Sequence, residues 1–93
     1  MAQFMVRVEL YGADEDDYET LHKAMEGEGF SRQISSADDV LYHLPTAEYY
    51  REGELSKQDV LDEAKDAVAK TKKKGGILVT RARSFKWSGL KKV

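Results

Sequence analysis

The chain has 93 residues, room for one hydrophobic core, because a domain of this size buries only roughly 60 to 65% of the surface its unfolded form exposes. Apolar residues make up an ordinary 41%, and the 34% that are charged must lie mostly at the surface. The net charge of −2 conceals a split: residues 70–93 hold nine Lys or Arg and no acid, whereas residues 1–69 hold six basic residues and all 17 acids. That asymmetry suits a polyanionic partner, or the acidic body of the same chain or of a second copy.

The absence of cysteine excludes disulfides, thiolate zinc sites, iron-sulfur clusters and a cysteine nucleophile, and it fits a reducing cytoplasm. No apolar run approaches the roughly 18 residues of a membrane span, and the alternating N-terminus is unlike a signal peptide. The expectation is a single soluble domain over residues 1–93, with no membrane partner.

In chain order, residues 4–10 alternate Phe4, Val6, Val8 and Leu10 with polar neighbours and read as a strand buried on one face. Residues 14–28 read as a helix: acids fill its first turn, Tyr18, Leu21, His22 and Met25 recur at helical spacing, and Gly29 stands at its C-terminal cap. Residues 30–34 and 40–44 are two β-prone runs joined by Ser35, Ser36, Ala37, Asp38 and Asp39, a hairpin chemistry, and Pro45 limits the second run.

After a polar stretch containing Tyr49, Tyr50 and Gly53, Ser56 and Asp59 have capping-box spacing, with Leu55 and Val60 at hydrophobic-staple positions. A second helix is predicted from there to about Thr71, with Val60, Leu61, Ala64, Ala67 and Val68 inward. Residues 77–84 supply the last strand, and the tail from Phe85 to Leu90 reads as a short extra strand or a loop. Two successive strand-helix-strand units predict an α+β ferredoxin-like βαββαβ sandwich: one four-stranded antiparallel sheet with two helices on one face.

If the first strand buries Phe4, Val6, Val8 and Leu10, then Met5, Arg7, Glu9 and Tyr11 face the open side of the sheet. With Leu78, Thr80 and Ala82 inward on the last strand, Ile77, Val79, Arg81 and Arg83 join them. Arg7, Arg81 and Arg83 then offer planar donor forks to phosphate oxygens, with Phe85 or Trp87 placed to stack on a base. Edge protection with a Glu9–Arg81 cross-strand pair is the plainer account of the same residues. A structural homodimer pairing open faces through Met5, Tyr11, Ile77 and Val79 is a further reading.

His43 is the better histidine for proton transfer, its plainer role being that of a half-buried strand residue, whereas His22 belongs to the inner edge of the first helix. Two isolated histidines predict no structural metal. Asp14, Glu15, Asp16 and Asp17 lack the ligand spacing of a calcium loop, and Lys72, Lys73 and Lys74 precede a strand, unlike a nucleotide loop.

The strand Met5-Val-Arg-Val-Glu-Leu-Tyr11, the helix ending in Gly29-Phe30-Ser31 and the stretch Tyr42-His-Leu-Pro-Thr-Ala-Glu-Tyr49 resemble the GhoS-type small proteins. The resemblance implies a type V toxin-antitoxin antitoxin that cleaves toxin mRNA as an endoribonuclease, on a ferredoxin-like fold shared with small CRISPR-associated nucleases. It also implies that Glu9 stands where such nucleases carry an acidic residue, usually Asp, that holds a divalent cation such as Mg²⁺. Cleavage would use Glu9 to position Mg²⁺ and water, or His43 and Glu9 for proton transfer with arginines on the pentacovalent phosphate. A non-catalytic RNA-binding module using the basic C-terminal end is the alternative.

Overall fold

The computed structural model describes residues 1–93, and its architecture is built outward from one strand, β1 (Ala2–Leu10). Phe4, Val6, Val8 and Leu10 are all buried, so β1 presents a continuous apolar face to the two helices. It is the middle strand of an antiparallel sheet, with β4 (Glu48–Gly53) on one side and β5 (Gly75–Ala82) on the other. Helices α1 (Glu15–Gly27) and α2 (Lys57–Ala69) cover one face of that sheet.

Both helices start on reciprocal caps. Asp14 accepts from the Asp17 amide at 3.0 Å and Asp17 from the Asp14 amide at 3.1 Å. Ser56 and Asp59 repeat the pattern at 3.0 and 2.9 Å, the capping box expected from their spacing. The first helix ends on Gly29 at φ +100, where the amides of Gly29 and Phe30 bond back to the carbonyls of Glu26 and Met25. That left-handed turn suits glycine and delivers Phe30 into the core.

The fold is α+β with two helices and antiparallel sheets, compatible with a ferredoxin-like arrangement, but the expected single four-stranded sheet is corrected. There is a three-stranded sheet in the order β4-β1-β5 and a separate two-stranded ribbon, β2 (Gln33–Ser35) with β3 (Leu41–His43). The predicted run 40–44 is trimmed to β3, and the run 30–34 is shortened and shifted to β2, which takes in Ser35 from the expected loop. The strand beside β1 is the stretch read as polar. Its period-two pattern escapes hydropathy because Glu48, Tyr50 and Glu52 share the open face, while the inward positions are Tyr49 and Arg51. Tyr49 is fully buried, and Arg51 lies over the Phe30 ring with its guanidinium on Glu63 of α2 at 3.0 Å.

The ribbon hangs on β4 through a single bridge, in which Ser31 and Tyr50 exchange main-chain bonds of 2.8 and 2.7 Å. The tail then returns to β3: His43 donates to Lys91 at 2.8 Å and Val93 to Leu41 at 3.0 Å. No helix is long and apolar enough to cross a membrane.

The last strand also departs from expectation. Val79 lies opposite Val6 and Ile77 opposite Val8, and directly opposed residues share a face. Ile77 and Val79 therefore pack toward the core, while Leu78 is 64% exposed on the open side with Thr80 and Ala82. Gly75 sets this register: a Cβ there would lie 2.6 Å from the Glu9 carbonyl oxygen, an approach to the end of β1 that only glycine permits.

One polar pair is enclosed in the core. His22 Nδ1 sits 2.6 Å from Tyr49 Oη, with His22 only 5% exposed. Burial, and secondarily the charge of Arg32, lowers the His22 pKa from 6.5, and burial raises that of the Tyr49 phenol. Tyr49→Phe strips His22 of this partner and is expected to cost about 1–3 kcal/mol in urea unfolding. A histidine that binds its proton more weakly when folded contributes stability that is fully present above its unfolded pKa of 6.5 and lost as pH falls through and below that value. Wild-type stability is therefore expected to drop from pH 7.5 toward pH 5 by more than that of His22→Gln, as measured by thermal melts across that range.

Candidate nucleic-acid interface

The face of the sheet opposite the helices carries Gln3, Met5, Arg7 and Glu9 from β1, with Tyr50 and Glu52 from β4 and Leu78 and Thr80 from β5. At one end the ribbon and the returning tail rise beside this face and enclose a groove of about 790 Å³. Gln3, Ser31, Gln33, Tyr50, Arg83, Phe85 and Trp87 are among its walls.

Each wall has a local cause. Gln3 Nε2 donates to the Arg83 carbonyl at 3.1 Å, which turns the chain leaving β5 across the sheet end. Phe85 then meets Tyr50 edge-on at 6.0 Å, and Trp87 meets Tyr42 edge-on at 5.5 Å, pairings favoured by the ring quadrupoles. Tyr50 Oη lies 2.8 Å from Glu52 Oε2 and 3.1 Å from Gln3 Oε1. Burial, and then the bond to Glu52, pushes the Tyr50 pKa up to about 12, so its hydroxyl keeps its proton at neutral pH and acts as a hydrogen-bond donor.

The predicted site residues do not form one cluster. Arg83 and Trp87 line the groove. Arg7 and Glu9 share a second depression of about 660 Å³ with Tyr18, Thr46, Gly76 and Leu78. His43 lines a third, of about 590 Å³, with Glu26, Arg32 and Lys91, and so does not join Glu9. Arg81, opposite Phe4, falls on the helix side of the sheet edge beside Glu54 and Ser56. The expected single cluster of Arg7, Glu9, Arg81 and Arg83 is thus divided. The reversed facing of β5 takes Arg81 off the open face, Arg81 and Arg83 share a depression at the sheet end with Gln3, and Arg7 and Glu9 lie apart from both. The open-face dimer loses Ile77 and Val79 to the core.

No three His, Asp or Glu side chains converge closely enough to hold a metal ion. Glu9 alone does not make a protein-held Mg²⁺ site. The basic C-terminal segment is likewise dispersed: Lys73 pairs with Asp17 of α1 at 3.7 Å, whereas Arg83 and Lys86 stand at the opposite end of β5, in the segment leaving it. Arg7 and Arg83 have no ion-pair partner.

Gln3, Ser31 and Gln33 carry no signal in the sequence, and Tyr50 stands with Tyr49 in the stretch that reads as polar. Strand periodicity is the signal that separates them, since two consecutive tyrosines in a strand must face opposite sides. A groove with three aromatic rings, a free guanidinium and a rim of amides and hydroxyls can hold a planar base beside an anionic phosphate. Comparison with protein-family models, with curated proteins and with solved structures finds no match.

The tail's seat is testable. Trp87→Ala removes the contact with Tyr42 and is expected to speed hydrogen exchange at the His43 and Val93 amides, which bond across the tail, while amides of β1 keep their protection.

Proposed function

We propose that the protein binds single-stranded RNA in the groove between the open sheet face and the returning tail. The observation that carries this reading is the convergence of Tyr50, Phe85 and Trp87 with the unpaired Arg83. Bases stack on aromatic surfaces, Arg83 meets a phosphate, and the Gln and Ser groups of the rim bond base edges or ribose hydroxyls. The acids concentrated on the helices, five against one lysine in α1 and four against two lysines in α2, repel a polyanion from the other side and favour approach to the sheet.

A GhoS-type endoribonuclease antitoxin on a ferredoxin-like fold is the activity that the sequence resemblance adds. Within it, Arg7 and Glu9 are the pair the geometry favours for chemistry, because they share one open depression beside the groove-bearing face. His43 is separate from both and is not assigned a step in cleavage. Glu9 would take the proton of the attacking ribose 2′-hydroxyl as the O2′–P bond forms and the P–O5′ bond breaks, with Arg7 neutralising charge on the phosphate and solvent water protonating the departing 5′-oxygen.

The test is fluorescence anisotropy with labelled single-stranded RNA over a salt series, together with gel analysis of the same RNA for cleavage. Affinity is expected to fall steeply with salt, and Tyr50→Ala and Arg83→Ala to weaken it about tenfold each, since one base stack is worth roughly 1–3 kcal/mol. His43→Ala is expected to bind as wild type. Salt-insensitive binding, or equal binding by all the variants, overturns the interface. Discrete cleavage that disappears in Glu9→Gln while binding persists identifies the nuclease, and uncut RNA restricts the protein to binding.

A further inference from the structure

The outer edge of β5 is left open. The Tyr11 amide donates to the Lys74 carbonyl at 2.8 Å, so Tyr11 and Lys74 form a hydrogen-bonded pair at the end of the β1–β5 ladder. Such pairs alternate along an antiparallel ladder, so Gly76, Leu78 and Thr80 direct their main-chain groups at β1. Gly75, Ile77, Val79 and Arg81 therefore direct theirs away from it. No strand lies on that side, and the outward amides and carbonyls find no partner within the chain.

Edge strands are ordinarily blunted by proline, lysine, a bulge or a covering segment. Between Gly75 and Thr80 this one has no charge and no proline. The tail, which could have covered it, crosses instead to β3 at the far side of the molecule. On the open face the same stretch exposes Leu78, one of the largest apolar side chains left in solvent.

We propose that two copies of the chain associate by antiparallel pairing of their β5 edges about a two-fold axis, joining their three-stranded sheets into one of six strands. The strand is self-complementary in the register centred on Leu78. Gly75 then pairs with Arg81 of the second copy and Ile77 with Val79, and the reciprocal pairs complete four hydrogen-bonded pairs, all within the span of β5. Leu78 falls opposite Leu78 of the second copy in a close, non-hydrogen-bonded pair on the open face, which removes the exposed leucine from water. Arg81 lies opposite a glycine, so no cation within the strand faces another. Here Ile77 and Val79 pair through their main-chain groups at the strand edge, unlike the open-face dimer, which would pack side chains and enlist Met5 and Tyr11, and the groove beside β4 is left uncovered.

Sedimentation equilibrium of the full chain, from micromolar to submillimolar concentration, is expected to show reversible association to twice 10.5 kDa. Leu78→Lys sets like charges face to face at the axis, without touching the core, and is expected to weaken association at least about tenfold. Because the chain has no cysteine, Leu78→Cys provides a register test: mild oxidation is expected to give a covalent dimer rapidly, whereas Thr80→Cys, opposite Gly76, crosslinks slowly. The Ile77 and Val79 amides are expected to exchange slowly in wild type and fast in Leu78→Lys. A wild-type chain that stays monomeric throughout the series, or a dimer that survives Leu78→Lys and fails to crosslink at position 78, overturns the proposal.

Discussion

The alternation of β1 is the constraint from which the other placements follow. Phe4, Val6, Val8 and Leu10 have one direction in which to be buried, and both neighbouring strands must match it, because opposed residues in an antiparallel pair share a face. Tyr49 is drawn inward by standing opposite Val6, and Val79 by the same residue from the other side. The helices close over this face, and His22 satisfies the one phenol that the core takes in. A single-residue slip of either neighbour would exchange Tyr49 for Tyr50, or Val79 for Leu78, and bury the wrong set.

The groove is a by-product of that inward demand. With Tyr49 committed to the core, Tyr50 must face out, and it becomes the floor against which Phe85 docks. The bend at Arg83 and the strand-like return along β3 then hold Trp87 over Tyr42. Aromatic rings, amides and a guanidinium gather where the chain has to turn back, while the helices on the other face are strongly acidic.

The start of α2 was legible because capping needs only local residues at fixed spacing, and Ser56 with Asp59 satisfies it. The start of α1 was legible instead from the acids of its first turn, and its Asp14–Asp17 box was not. The burial of β1 was legible because its pattern is apolar against polar. β4 was not, since its inward residues are a tyrosine that needs a histidine from another element and an arginine that needs a glutamate from a third. The side on which β5 turns its residues was hidden for a different reason. Every residue from Ile77 to Val79 is apolar, so the pattern has no phase, and the choice rests on how closely Gly75 can approach β1. The placement of Arg81 on the helix side follows from that choice, whereas Glu9 is separate from His43 because β3 belongs to the ribbon and does not lie beside β1.

Pairing β1 with β5 has a consequence in time. β1 is completed by β5, from Leu10 against Gly75 to Gln3 against Ala82, across every element between them, so the three-stranded sheet cannot close before β5 is made. Until then the apolar face of β1 can be covered by α1 and α2, both of which precede β5 in the chain, but one of its edges stays unpaired. Contacts of such long sequence separation slow folding, since loop-closure entropy is lost before they form. The three-stranded sheet therefore stays unfinished until β5 is available, and its closure is a late step in folding.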